Sequence, residues 1–323
     1  MLLYSDMSNY YQQLIYIFQN VQTLLALIGL ISETLIISVF LRKRLRNHSY
    51  AFYSIVMAFF DILVCLHTFR HWSALMFAAD LDLVSQFFCA IGEYQPYLAA
   101  TCTLWLLVLI SLDRLITIVY SNSNRFRILK KRSFQVFVVI ILIACNLLMH
   151  IELPLNYTLL TINGSNLTVC SIPYEIFNIH TWIYLTNVIL IIVVVINILN
   201  FKMITYLLKT RNGLNLKSNR MSVLKDRKFA LSSVGLNIAN LVCKIPLGIA
   251  LLASYYLDFG SDECELLFTI CVTITISYNA ISFGIYMIVN SIFYDEFLIM
   301  IGLKRSIFTK TSTRNNSNKN VKV

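Results

Sequence analysis

The chain has 323 residues, 58% of them apolar and 13% charged, with a mean hydropathy of +0.71. That balance excludes an ordinary soluble globule and points to a polytopic membrane protein. The net charge of +10 would suit nucleic acid, but its confinement to alternate loops assigns it to membrane topology, and no nucleic-acid partner is expected.

Residues 1–13 are read as an extracellular N-terminus. Met1–Tyr11 lacks the basic start and small-residue cleavage pattern of a signal peptide. Seven apolar segments follow, near 14–41, 50–78, 87–119, 134–155, 178–208, 229–257 and 266–289. Each reaches the roughly 20 residues that a bilayer crossing needs. Lipid offers the backbone no hydrogen-bond partners, so the segments must be helices, and unalternating apolar runs argue against a barrel. The reading is an all-α membrane protein, a seven-helix bundle over 14–303, with residues 304–323 as a disordered cytoplasmic tail.

Orientation follows from the basic residues. All of the 26 lysines and arginines except Arg70, Arg114, Lys202 and Lys244 fall in the 42–48, 120–133 and 209–228 loops or in the tail. The alternate loops and the N-terminus carry acids instead, among them Asp80, Asp82, Asp258, Asp262, Glu263 and Glu265. The N-terminus is therefore expected outside and the C-terminus in the cytoplasm. Three glycosylation sequons, at Asn156, Asn163 and Asn166, cluster in the 156–177 loop that the charges independently place outside.

The third segment starts with Cys89 and ends with Asp113-Arg114, and Arg114 lies 25 residues beyond the cysteine. That is about 37 Å of helix, one membrane crossing. Cys170 lies in the external 156–177 loop, on the oxidising side, within reach of Cys89, and a disulfide between them would staple that loop over the bundle mouth. Asp226 opens the sixth segment on the same face as Asp113 and Arg114. The arginine could pair with both acids as a releasable latch, or it could simply obey topology. No internal repeat, hydrolase elbow, zinc motif or phosphate loop is present. Neither an enzyme nor a bound cofactor is expected.

Five short motifs occur in order. They are Ala58-Phe59-Phe60-Asp61 in the second segment, Cys89, Ser111-Leu112-Asp113-Arg114-Leu115, Cys243-Lys244-Ile245-Pro246, and Ser282-Phe283-Gly284-Ile285-Tyr286 followed by Phe293. In this set the chain resembles a rhodopsin-like (class A) G-protein-coupled receptor over roughly 15–303, in a divergent, neuropeptide-type form. Leu115, Lys244 and Ser282-Phe283 replace residues usual in the family's motifs, and Glu33 stands where the first span usually has asparagine.

The resemblance implies coupling to a heterotrimeric G protein through Arg114, with Asp113, Asp226 and Tyr286 in the activation switch. It also implies a short amphipathic eighth helix from about Phe293 to Met300, and a tail whose Ser306, Thr309, Thr311, Ser312, Thr313 and Ser317 would be kinase sites, with arrestin a possible partner. It places a ligand among the outer halves of the third, sixth and seventh spans, where Glu93, Pro96 and Tyr97 of the third span are candidate contacts, with Arg70 and His71 in the outer half of the second. Pro96 falls where amine receptors carry their aspartate, which disfavours a monoamine, and the seventh span has no lysine to carry retinal. The acidic mouth would steer a cationic peptide. Arg70 either meets a ligand carboxylate or pairs with Glu93.

Receptors of this type often hold sodium on the internal aspartate. Here Asp61 with Thr103 and Ser282 could do so, or Lys244 could supply the cation permanently to Asp61 and Glu33, or Glu33 could simply be protonated. The alternatives at the level of function are a chemosensory receptor for small molecules and a non-signalling scavenger or carrier. The location implied is the plasma membrane.

Overall fold

The computed structural model describes the backbone of residues 2–77, 83–119, 131–161, 168–187, 191, 194–213, 220–253 and 262–304. Helix α1 (Leu2–Phe40) is followed by α2 (Ser49–Phe77), α3 (Gln86–Val119) and α4 (Arg132–Met149). A short α5 (Glu152–Asn156) leads into strands β1 (Thr158–Thr161) and β2 (Thr168–Ser171). Then come α6 (Tyr174–Asn187), α7 (Asn197–Gly213), α8 (Arg220–Ala253), α9 (Asp262–Val289) and α10 (Ser291–Met300).

Among the described residues, six helices are long and apolar enough to cross a bilayer, and they match six of the seven expected segments. The fifth is described as α6 and α7, with residues 191 and 194–196 in π-helical turns between them. Helix α1 begins well before residue 14. Nothing in its first turns interrupts it, since the stretch holds neither glycine nor proline. Tyr11 donates to Glu263 of α9 at 3.2 Å, so this extension reaches across to the seventh span.

Prolines lie inside two spans, Pro96 in α3 and Pro246 in α8. Each removes an N–H from the helical ladder, and in lipid the freed carbonyls need another donor. The carbonyl that Pro246 leaves without its helical donor is that of Val242, and on the next residue the Cys243 carbonyl accepts from the Thr275 hydroxyl at 3.1 Å, which ties α8 to α9. The α1–α9, α1–α2, α8–α9 and α2–α3 pairs carry most of the packing, and α4 is the least buried of the long spans.

An element that sequence reading missed is the antiparallel β1–β2 hairpin, with Leu159 opposite Cys170. It sits at the start of α3, where Gln86 grips it by both ends of its amide. The amide oxygen accepts from Leu159 N–H at 2.9 Å, and the amide nitrogen donates to the Tyr157 carbonyl. Leu153 and Tyr157 pack beneath, against Cys89 and Tyr94. Burial, with Tyr97 and Glu93 nearby, pushes the Tyr157 phenol upward.

At the opposite end, α10 turns away from α9. Asn290 caps it by accepting from the N–H groups of Ile292 (3.1 Å) and Phe293 (3.2 Å). The eighth helix therefore starts at Ser291. Phe293 is fully buried between Phe40 and Tyr286, at 5.1 Å from each ring, so the helix is held by the bundle as well as by its apolar face. Glu296 is buried too, and it accepts from Arg42 at 3.3 Å and Arg44 at 3.4 Å.

Candidate functional site

Arg114 stands near the end of α3 and is only 2% exposed. A buried guanidinium needs acceptors and a counter-charge. Asp113 supplies both: Arg114 Nε donates to Asp113 Oδ2 at 3.1 Å, and Nη2 bonds the same oxygen. Nη2 also donates to Ser49 Oγ at 3.1 Å, while the Ser49 hydroxyl donates to Asp113 Oδ2 at 2.8 Å. The guanidinium carbon lies 5.1 Å from the Tyr50 ring centre and 5.8 Å from that of Phe229. Of the two acids expected to hold Arg114, Asp113 does so. The Asp226 side chain lies outside the described residues. Tyr286 is fully buried nearby and donates to Ser54 at 3.1 Å.

The mid-bundle polar residues form two half-sites. Ser282 donates to Glu33 Oε1 at 2.6 Å, and Thr103 donates to Asp61 Oδ1 at 3.0 Å. The second oxygens, Glu33 Oε2 and Asp61 Oδ2, are buried without a hydrogen-bond partner among the described residues. Lys244 is buried, with its ammonium 6.0 Å from the Tyr278 ring centre. Among the described residues it forms no ion pair within 4.0 Å, yet it and Asp61 still act on each other across the gap. One oxygen of each carboxylate is thus held by a hydroxyl, from α9 for Glu33 and from α3 for Asp61, and among the described residues neither meets an ammonium directly. The open carboxylate oxygens and the two hydroxyls are hard donors, the chemistry that a small cation such as sodium prefers.

Sequence reading missed a third polar junction. The Asn237 amide donates to both Ser111 Oγ and Asn200 Oδ1 at 2.8 Å, joining α3, α7 and α8. The signal was available, because asparagines inside apolar runs are costly in lipid unless they meet another helix.

At the hairpin end, Cys89 and Cys170 form a disulfide with 5.6 Å between Cα atoms and 81 residues of separation. Arg70 pairs with Glu93 at 3.7 Å and contacts His67 Nδ1 at 3.0 Å, so of the two roles expected for it the internal one is occupied. Pro96 and Tyr97 are half-buried on α3, while the His71 side chain lies outside the described residues. Behind Tyr97, Thr101 meets His150 Nε2 at 3.3 Å, and the His150 and His180 rings lie 5.7 Å apart. The half-buried Asn156 ends α5 and donates to the Glu152 carbonyl at 2.7 Å. Asn163, Asn166 and the tail beyond residue 304 lie outside the described residues.

The arrangement is a bundle with a covalently pinned cap at one end and a buried, charge-compensated arginine at the other, joined by a line of internal polar groups. The family model described as 7 transmembrane receptor (rhodopsin family) matches residues 33–293. No match to a curated protein was found.

Proposed function

The chain belongs to the rhodopsin family of seven-transmembrane receptors, and on that premise we propose that it carries a signal from an extracellular peptide to a heterotrimeric G protein at the plasma membrane. In this reading the N-terminus and hairpin face outward and the Arg114 end faces the cytoplasm, as the loop charges favour. The observation that carries the proposal is the buried Arg114. Topology alone would leave an arginine at a helix end solvated, whereas this one is enclosed by α2, α3 and α8 at a seam that can open.

A cationic peptide is favoured for the ligand by the acidic loops around the mouth. Because Arg70 pairs with Glu93, recognition of a ligand carboxylate by Arg70 would have to displace that pair. Asp61 and Glu33 would hold a sodium ion, and its single charge together with that of the buried Lys244 ammonium would offset their two in the resting bundle. Asn156, Asn163 and Asn166 are the proposed glycan acceptors, and the serines and threonines of the tail are the proposed arrestin-linked phosphosites.

The test is G-protein activation in cells, basal and with a peptide library, comparing wild type with Arg114→Ala at matched surface expression. The expected result is a response that Arg114→Ala abolishes. A bound ligand with no response from either protein would sink the coupled reading and favour a scavenger.

A further inference from the structure

The seam around Arg114 has a second set of contacts that the Asp113 pair does not explain. Tyr50, Arg114 and Phe229 come from α2, α3 and α8, and none is more than 2% exposed. The two rings lie 5.3 Å apart, with the guanidinium 5.1 Å and 5.8 Å from their centres. The Tyr50 hydroxyl shares a 3.1 Å hydrogen bond with Ser232, one helical turn beyond Phe229 on the same face of α8. Away from this point, α2 and α8 touch little. Tyr50 is also the ring through which Phe40 of α1 and Tyr286 of α9 meet the seam, at 5.8 Å and 6.2 Å.

We propose that Tyr50 and Phe229 form an aromatic latch that closes on the Arg114 guanidinium and holds α8 against α2 and α3 in the resting receptor. A cation held against ring faces is stabilised most when water is excluded, which is the condition here. The latch is all-or-none. Movement of α8 away from α2 removes the Phe229–Arg114 contact, the Phe229–Tyr50 contact and the Tyr50–Ser232 hydrogen bond together. Such coupled loss gives two discrete arrangements rather than a continuous range. Opening uncovers the guanidinium while Asp113 and Ser49 keep it oriented, so the donors emerge already aimed. Tyr50 and Phe229 therefore act as positioning residues for Arg114. The significance of the opened state rests on the coupled-receptor reading, but the latch itself does not.

The experiment uses the full-length receptor in lipid nanodiscs, without ligand. Bio-orthogonal spin labels at Arg46 and Leu231, both exposed, report the separation of the Arg114 ends of α2 and α8. Tyr50→Leu and Phe229→Leu are expected to add a longer-distance population, and Tyr50→Phe, which keeps the ring, to retain the short one. In cells the two leucine variants are expected to raise basal signalling roughly five- to tenfold. Unchanged distances in both leucine variants, with melting transitions like wild type, would overturn the latch. Should a leucine variant lose its native melting transition, Phe229→Met, of similar volume but without a ring, carries the same test. Lengthened distances with no gain in signalling would support the latch and count against G-protein coupling alone.

Discussion

Gly29 sits where α1 meets α2 and α9. A β-carbon there would lie 2.8 Å from Cys65 Sγ and 3.2 Å from Asn279 Cβ. Gly29→Ala is expected to cost about 1–3 kcal/mol through overpacking, read as a lower melting temperature. Gly284→Ala, whose β-carbon would meet nothing within 4 Å, is expected to be neutral or to gain up to about 1 kcal/mol of helix propensity. Equal shifts for the two would mean that close approach at Gly29 does not limit the packing. Asp61 and Lys244 pose a different question, since they influence each other without touching. Asp61→Asn and Lys244→Met are expected each to lower the melting temperature, and the double variant to lose less than their sum, by a coupling of about 1 kcal/mol. Strict additivity would show that the two charges are compensated separately. That Glu33, Asp61 and Lys244 were functional candidates was legible in the sequence, because ionisable groups in apolar runs announce themselves. Which of them meet was not legible, because Lys244 is long enough to lie against Tyr278 while hydroxyls from other helices hold one oxygen of each acid.

The cap at the hairpin end shows what can and cannot be read one element at a time. Two cysteines on the expected oxidising side made the Cys89–Cys170 link legible. The hairpin was not, because four-residue strands carry too little alternation to register in a chain dominated by helices. Gln86 was equally silent, since an amide at the start of a span looks like ordinary polar flanking sequence. Cys170→Ser reopens an 81-residue separation and is expected to cost about 2–4 kcal/mol. Hydrogen exchange over the strands Thr158–Thr161 and Thr168–Ser171 should nonetheless stay slow, because Gln86 still holds Tyr157 and Leu159. Adding Gln86→Ala should release it. Fast exchange in the single variant would show that the disulfide alone maintains the cap. The π-helical turns at residues 194–196 obey a similar limit, because they fall within one continuous apolar run that hydropathy reads as a single span.

Across the whole molecule, the sequence made the number of crossings, the position of Arg114 and the eighth helix legible, because hydropathy, loop charge and motif spacing all act at the scale of entire helices. The aromatic seam was hidden, since Tyr50 and Phe229 lie far apart in the chain and nothing local marks them as partners. The clamp of Glu296 on Arg42 and Arg44 was hidden for the same reason, and it changes how the molecule meets its solvent. Loop charge read from sequence offers four cations between residues 42 and 48 to the adjacent leaflet. One buried carboxylate offsets one of those charges and ties down two guanidiniums that stay 35% and 36% exposed, beside the exposed Lys43 and Arg46. At about 1 kcal/mol per basic residue near a charged lipid surface, the hold on anionic headgroups is weaker by roughly 1–2 kcal/mol than the loop alone would provide. Glu296→Gln should therefore enrich phosphatidylserine among the lipids that copurify with the receptor, as counted by mass spectrometry. An unchanged lipid profile would mean that the paired arginines already reach the headgroups. By this route a carboxylate buried under the eighth helix would help to set the composition of the lipid annulus.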